Sequence, residues 1–370
     1  MTEASNDLFG IMRRSDRELS KSEDCEVEDL SLIPGLPDDL AFQCLVRVPR
    51  RYHWVLAAVC RRWQETLCST MFCSKRKEMG LSEGWVYALL RDSSEDLHWH
   101  VMDPTQRVWK ELPKMPGDAT KRYGLSSEVI NRELFVVGGG QRYKPPIREV
   151  LKFNPITNAW KEAASLEMAR HYFASAVFEG KLFAVGGMGT TSESQNSYEI
   201  YDPKSQTWST FYDAHIVTDL GEALVLDGKL YTRYVCTNLF PPTYASAFDP
   251  AKHEWAVVDN DMTRLWCGPT AVTDQGDVYM LDQTFGLKIM MLNHGSLEWI
   301  PVGRLSPKSI TPPCKLVFVK NILYIVGRGL QTISYNLDKG HSSRGMLATS
   351  SIPALEPAED VVLSCHMIEI

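Results

Sequence analysis

The most constraining feature of this 370-residue chain is a spacing that recurs five times. An Asp or Asn stands six residues before a Trp in each repeat, and successive Trp residues lie 51, 48, 47 and 44 positions apart. The five pairs are Asp103 and Trp109, Asn154 and Trp160, Asp202 and Trp208, Asp249 and Trp255, and Asn293 and Trp299. Internal periods of about 20 to 50 residues are typical of solenoids and propellers. The chain is therefore predicted to contain a series of equivalent structural units.

The units after the first each contain the sequence pattern of four strands. Pro follows the Asp or Asn at 104, 155, 203 and 250, and this pair favours a type I turn because the polar side chain bonds the backbone while Pro presets φ. An alternating run precedes the turn, as in 149–153, and a hairpin precedes that run, as in 127–137. Four strands per unit predict a propeller blade rather than a helical repeat. The Trp is expected to pack between adjacent blades, since a bulky aromatic buries a large area.

The first and last strands determine the expected number of blades. The first unit supplies only three strands, over 85–90, 97–102 and 108–112, whereas the strand-like run 361–370 has no partner of its own. We expect that run to become the innermost strand of the first blade, because closing the ring removes exposed sheet edges. Six blades are predicted over residues 85–370. A seventh would require a unit within 338–360, and that stretch is too short.

Residues 31–76 have a helical pattern instead. A first helix is expected after Leu36 and Pro37, since Pro suits the first turn. A second is expected from about 52 to 67, because apolar residues recur there at helical spacing, at Leu56, Val59, Cys60, Trp63 and Leu67. Residues 1–30 carry a net charge of −5 and one aromatic residue, and are predicted to form a disordered acidic tail.

Composition excludes several classes of protein. No apolar run reaches about 18 residues and no signal-peptide core precedes residue 30, so neither a membrane span nor secretion is expected. Nine cysteines without a CxxC pair argue against a disulfide framework and a zinc ribbon. Reduced thiols are typical of a cytoplasmic or nuclear protein. The net charge of −7 argues against nucleic-acid binding.

Few residues suggest catalytic chemistry. Gly138, Gly139 and Gly140 follow a strand, but neither a helix nor a lysine follows at the spacing of a phosphate-binding loop. His98 and His100 share one face of a strand and could form a metal pair, yet no third ligand is visible, and solvent-facing strand residues are the favoured interpretation. No catalytic residue, metal or cofactor is predicted.

The helical segment carries three short motifs: Leu-Pro at 36–37, Val-Pro at 48–49 and Val-Cys-x-x-Trp at 59–63. Over about residues 31–76 these resemble an F-box, a module that binds the Skp adaptor of cullin–RING ubiquitin ligases. The resemblance implies that nine residues divide between the core of the module and the adaptor contact: Leu36, Pro37, Leu40, Leu45, Val48, Pro49, Val59, Cys60 and Trp63. An apolar stripe is also what a helix-in-groove interface requires.

The repeated units carry a strand, a Gly pair, another strand, Asx-Pro and Trp, most clearly over 135–160 and 183–208. This combination resembles the kelch repeat, over about residues 85–370. The Gly pair is absent from the fourth and fifth units, which have Tyr234-Val235 and Gln283-Thr284, and the sixth has Ser342 in place of Trp. An F-box followed by a kelch propeller resembles the plant-type F-box/kelch proteins, and the resemblance implies a substrate receptor of an SCF ubiquitin ligase whose target is unknown.

Loops on one face of the propeller are the predicted target-binding site. Arg, Tyr and Trp are typical hot-spot residues, and several Arg on an acidic domain suggest an acidic segment in the target. The candidates are Arg122, Tyr123, Arg142, Tyr143, Arg170, Arg264 and Trp266, with Trp266 the foremost. Two alternatives remain open: a kelch scaffold whose F-box engages no ligase, and a kelch metalloenzyme, since some kelch propellers are copper oxidases.

Overall fold

The computed structural model describes residues 31–190, 194–216, 220–234, 245–339, 346–347, 349–355 and 357–370. The predicted tail over 1–30 lies outside the described residues, as do Val235 and Ser342. The chain divides into two compact units, residues 1–45 and residues 46–370.

Within the described residues, four α-helices precede the first strand: α1 (Asp38–Val46), α2 (His53–Ala57), α3 (Arg61–Cys68) and α4 (Thr70–Glu78). The prediction of one helix over 52–67 is wrong, because the chain leaves the helical conformation before α3. Cys60 is extended, with φ −160° and ψ 163°, and α3 begins at the next residue. A periodic apolar stripe identifies a face but does not detect a short break in the backbone. Ser69 caps α4 by accepting a 3.1 Å hydrogen bond from the Phe72 amide.

The described strands form six antiparallel sheets of four strands each, numbered along the chain. Their bounds are β1 (Gly84–Arg91), β2 (Leu97–Asp103), β3 (Val108–Glu111), β4 (Ser126–Ile130), β5 (Glu133–Val137), β6 (Val150–Asn154), β7 (Ala159–Ala163), β8 (Ala174–Phe178), β9 (Lys181–Val185), β10 (Ser197–Asp202), β11 (Thr207–Tyr212), β12 (Leu220–Leu226), β13 (Lys229–Tyr234), β14 (Ala245–Asp249), β15 (Glu254–Val258), β16 (Thr270–Val272), β17 (Val278–Asp282), β18 (Lys288–Asn293), β19 (Glu298–Arg304), β20 (Lys315–Val319), β21 (Ile322–Val326), β22 (Thr332–Asn336), β23 (Ser350–Ile352) and β24 (Val361–Glu369). A further helix, α5 (Asp261–Leu265), lies between β15 and β16.

The last strand closes the ring, as predicted. The first sheet has the order β24-β1-β2-β3, and β24 pairs with β1 from Gly84 opposite Glu369 to Arg91 opposite Val361. The inner strands contact one another around the centre, β24 with β4 and β20, and β8 with β4 and β12. The propeller therefore has six blades, and the ring is closed by strands from both ends of the repeat region.

The repeated Trp residues pack between blades, which confirms the interpretation of the repeat. The Trp208 indole nitrogen donates a 2.8 Å hydrogen bond to the Ala164 carbonyl, which follows the last strand of the preceding blade. The Trp109 indole nitrogen lies 3.1 Å from the Thr332 hydroxyl of the sixth blade. Trp109 and Trp208 are both buried in apolar clusters that combine residues of two blades. Trp109 and Trp208 thus contribute both buried area and a directed bond to the neighbouring blade.

Candidate functional site

Large apolar side chains stand exposed on the helices and turns that follow residue 46. Val59 is 60% exposed and Trp54 is 54% exposed, although both lie among helices that bury other apolar residues. The exposed set is Tyr52, Trp54, Val55, Val59 and Met71. Concentrated exposed apolar side chains are typical of an interaction surface. Sequence reasoning assigned only Val59 of these to a contact, although Trp54 and Val55 fall off the apolar stripe and could have been recognised on that ground.

The nine sequence candidates of the helical segment differ in their exposure. Leu45 is buried; Leu36, Val48 and Trp63 are half-buried; Pro37, Leu40, Pro49, Val59 and Cys60 are exposed. The exposed members are available to a partner, whereas Leu45 belongs to the core. Contact of these residues with an adaptor stays a prediction.

A buried histidine, His53, packs between the helices, and sequence reasoning missed it. The His53 ring packs edge-on against Phe72, with ring centroids 5.4 Å apart, and a ring nitrogen lies 3.0 Å from the Val48 carbonyl. Burial lowers the pKa of His53 to about 4, so the ring is neutral near pH 7. The contact holds α2 against α4, and the neutral ring adds no further charge beside the buried Arg76.

The second candidate site is the mouth of the propeller channel. A cavity of about 250 Å³ is lined by residues near the start of the six inner strands, among them Ser126, Ser175, Glu222, Thr270, Lys315 and Ser364. Because these strand starts meet around one cavity, the loops that enter the inner strands lie at the same end of the ring. Antiparallel pairing brings the loops between the second and third strands of each blade to that end as well.

Polar groups in this cavity bond mainly to one another. The Ser126 and Ser175 hydroxyl oxygens are 2.5 Å apart, and Ser175 donates a 2.7 Å hydrogen bond to the Glu128 carboxyl. Removal from bulk water raises the pKa of Glu128 to about 8 and lowers the pKa of His366 to about 4. Both groups are therefore largely uncharged near pH 7, and with the hydroxyls they form a neutral part of the wall.

Three of the predicted target contacts are wrong because the side chains are buried. Trp266 has no exposed surface; it packs in the apolar cluster with Met262, and its indole nitrogen donates a 3.1 Å hydrogen bond to the Gly268 carbonyl. Arg122 is buried and paired with the Glu149 carboxylate. A loop position in the sequence does not imply exposure, because inter-blade loops turn inward to connect the inner strands.

Arg170 is the third predicted target contact that is buried, and its role is structural. Its guanidinium lies 2.7 Å from the Glu199 carboxylate, and neither side chain has exposed surface. The same group donates to the Gly186 carbonyl at 2.7 Å and to the Ser197 hydroxyl at 3.1 Å. A charge reversal at this position would therefore disrupt blade packing rather than report on target binding.

The remaining four candidates reach the surface. Tyr143 is 97% exposed and Arg142 is exposed beside it, while Tyr123 is half-buried. Arg264 is exposed, but its guanidinium forms two hydrogen bonds with the Asp259 carboxylate, at 2.6 and 2.9 Å. Part of the positive charge expected for an acidic target is therefore already neutralised within the chain.

Sequence reasoning missed an aromatic cluster at the channel mouth. The rings of Tyr123, His171 and Tyr172 lie with centroids 5.0 to 5.9 Å apart, and Tyr172 is exposed. On the loop between the second and third strands of the fifth blade, Phe285 is 84% exposed. Exposed aromatics on loops around one opening provide the rigid apolar contacts that protein interfaces favour. The sequence carried a signal for this cluster, since His171 and Tyr172 directly follow the candidate residue Arg170.

One member of the histidine pair of the first blade, His98, is bonded to two carboxylates. The two ring nitrogens of His98 lie 3.1 Å from Asp92 and 3.1 Å from Glu111. Across the described part of the chain, no group of three or more His, Cys, Asp or Glu is placed to hold a metal ion. No helix of the described residues combines the length and apolarity needed to cross a membrane.

Comparison with known proteins identifies the same two parts. The F-box domain family matches residues 33–75, and the Kelch motif family matches residues 121–167 and 169–211. A solved structure described as "Structure of YjhT" aligns with a TM-score of 0.47 and 16% identity, covering 72% of this chain and 94% of that chain.

Two relatives from Arabidopsis thaliana align over almost the whole length. The F-box/kelch-repeat protein SKIP4 is 33% identical over 346 residues, which are 92% of this chain and 95% of the relative. The F-box protein AFR is 24% identical over 364 residues, covering 94% of this chain and 95% of the relative. The helical segment, the closed six-bladed ring and these full-length similarities agree, and the chain belongs to the F-box/kelch-repeat protein family.

Proposed function

We propose that this chain is the substrate-recognition subunit of an SCF (Skp–cullin–F-box) ubiquitin ligase. The observation that carries the proposal is the union of an F-box match over 33–75 with a closed kelch propeller in one chain. In this function the helices dock a Skp-family adaptor, and through it the cullin–RING ligase, while the propeller holds a protein target. Other subunits transfer ubiquitin, so the chain itself performs no covalent chemistry and requires no cofactor.

Exposed apolar side chains on the helices support adaptor docking. Burying Trp54 and Val59 against a partner removes apolar area from water, at about 25 cal/mol per Å². Neither side chain is needed to fill the core, since each is more than half exposed. Their exposure is therefore explained by a partner rather than by the folding of this chain.

The test is direct adaptor binding measured by calorimetry, with a matched pair of valine variants. Val59→Asp is expected to weaken binding of a Skp-family adaptor at least tenfold, because it places a charge in the apolar contact. Val257→Asp, at an equally exposed valine on β15, is expected to leave the affinity within twofold. An unmodified chain that binds no adaptor would contradict the proposed function and favour the kelch scaffold.

The propeller mouth is the proposed target surface. Tyr143 and Tyr172 are exposed on loops at the end of the ring where the cavity opens. Rigid aromatic anchors lose little side-chain entropy on binding, which makes them effective in protein recognition. The acidic segment expected in the target remains a proposal. It rests on the exposed Arg142, because Arg122 and Arg170 are buried.

Capture of targets with the proteasome blocked tests this surface. Proteins enriched by the unmodified chain should be lost with Tyr143→Ala. They should be retained with Tyr212→Ala, which removes an exposed tyrosine from β11, an outer strand. Equal capture by both variants would place the target elsewhere on the propeller.

We also propose that the protein acts in the cytoplasm, the nucleus or both.

A further inference from the structure

Two buried arginines join the helices to the closing strand of the propeller. Arg76, on α4, is 1% exposed. Its guanidinium donates to the carbonyl oxygens of Val46, the last residue of α1, at 2.7 Å and of Val48 at 2.8 Å. It also donates to Leu81 at 2.6 Å and to Ile370 at 3.4 Å. One side chain thus connects the turn between helices, the linker and the end of the closing strand.

Arg50 makes a second connection from the turn before α2. Its guanidinium donates to the Glu83 carbonyl at 2.8 Å, to the Ile368 carbonyl of β24 and to the Tyr87 hydroxyl of β1 at 2.9 Å. The guanidinium carbon also lies 4.7 Å from the centre of the Trp85 ring. Arg50 is 4% exposed, so these contacts are shielded from water.

Glu83 connects the two arginines. Its carboxylate accepts from the Arg50 amide at 2.9 Å and from the Arg76 guanidinium at 3.1 Å. Its backbone pairs with Ile370 in both directions, at 2.9 and 3.2 Å. The charges are therefore partly balanced within the cluster, which buried guanidinium groups require. We call Arg50, Arg76 and Glu83 the arginine latch.

We propose that the arginine latch fixes α2, α3 and α4 at a constant position on the propeller, so that an adaptor bound to them and a target are held at a defined separation during ubiquitin transfer. The functional part rests on the proposed ligase role. Motion between linked modules is the usual expectation where contacts are few and exposed. Here the connection is buried, multidentate and made to the backbone of β24, which itself belongs to the closed ring. In this assignment, Arg50 and Arg76 are positioning residues.

The test measures a distance distribution within the full-length protein. Genetically encoded spin labels replace exposed Glu65 on α3 and exposed Lys252 on the turn between β14 and β15, and pulsed electron spin resonance gives their separation. The unmodified chain is expected to show one narrow peak. Arg50→Met and Arg76→Met are each expected to broaden it at least twofold, whereas Arg51→Met, at the exposed neighbouring arginine, should leave it unchanged.

A purely stabilising role would lower the melting temperature of the Met variants while the folded fraction kept the narrow peak, and that outcome overturns the proposal. If the Met variants do not fold, Glu83→Gln weakens the latch at nearly constant volume. Hydrogen exchange of α4 amides is then expected to rise at least threefold relative to β20, and unchanged exchange overturns the proposal. Failure to bind a Skp adaptor would contradict the proposed function but would leave the distance result intact.

Discussion

The junction between blades 2 and 3 and the junction between blades 5 and 6 make equivalent connections with different groups. At the first, Gly138 and Gly139 follow β5 with φ of +56° and +96°, and the Gly139 amide donates a 2.9 Å hydrogen bond to the Arg170 carbonyl. A Cβ on Gly138 would lie 2.7 Å from that same oxygen. Glycine is required there both for the positive φ and for the close approach of the next loop.

At the second junction, Gln283 and Thr284 stand where the glycines are expected. The Gln283 side-chain amide donates to the Cys314 carbonyl at 3.1 Å, and its oxygen accepts from the Cys314 amide at 2.8 Å. A primary amide carries the same donor and acceptor as a peptide group, so it replaces the backbone contact of the glycine junction. The departure from the repeat motif at 283–284 is therefore a substitution of one hydrogen-bonding group for another.

The packing around the two junctions also differs. Arg170 and Glu199 form a buried ion pair beside the first junction. The second junction is surrounded by an apolar cluster of both blades that includes Leu281, Ile289 and Ile325. The Gly pair of the kelch motif occurs at the junction made by a backbone hydrogen bond beside a buried ion pair. A junction packed by an apolar cluster can lack the Gly pair and still form a complete blade.

Removing residues 361–370 is expected to have the largest effect, because it breaks the ring that both junctions share. The deletion exposes the edge of β1 and removes buried Val362 and Ile368. We expect the cooperative thermal transition seen by circular dichroism to be lost, together with solubility. A truncated protein with unchanged melting and solubility would show that the junctions hold the propeller without closure.

Breaking the ion pair of the first junction should have the next largest effect. Arg170→Met leaves the Glu199 carboxylate buried without its partner, which typically costs about 3 to 5 kcal/mol of unfolding free energy. Arg264→Met, at an exposed arginine, should change stability by less than about 0.5 kcal/mol. Denaturant titration measures the unfolding free energy of both variants. Equal values for Arg170→Met and Arg264→Met would refute a structural role for Arg170.

A pH effect should distinguish the two junctions. Glu128 joins the inner strands of blades 2 and 3, and its folded pKa is about 8 against an ordinary value of 4.5. Between these values the folded state holds a proton that the unfolded state has lost. Stability therefore falls as pH rises from 4.5 to 8, by up to about 1.4 kcal/mol per pH unit, and levels off above 8.

Glu128→Gln should remove that dependence, because glutamine does not titrate. Denaturant titrations of both proteins from pH 4.5 to 8.5 measure the difference. Parallel stability profiles for the variant and the unmodified chain would mean that Glu128 is ionised and solvated throughout this range.

Removing the amide of the second junction should have the smallest effect. Gln283→Ala leaves the Cys314 amide and carbonyl without these partners, at a cost of about 1 to 2 kcal/mol. Gln275→Ala, at an exposed turn residue, serves as the matched control and should be nearly neutral. Equal stabilities would indicate that the apolar cluster alone holds blades 5 and 6 together.

The repeat architecture could be predicted because its signals are local. An Asx-Pro turn and a Trp at fixed offset recur in each unit, so strand number, blade number and the placement of Trp between blades followed from spacing. The closing strand followed from counting, since the first blade lacked one strand and the run 361–370 lacked a partner. The break before α3 could not be predicted, because the apolar period continues through Cys60 although the helix does not.

The sequence by itself determined the order of the modules, the six blades and the closed ring, because turn chemistry and periodicity act within a few residues. Only the tertiary structure decided which loop side chains face solvent. Arg170 and Trp266 lie in loops as predicted, yet the ring folds these loops inward and buries both. The arginine latch likewise joins residues about 300 positions apart in the sequence, and such contacts exist only once the chain has closed on itself.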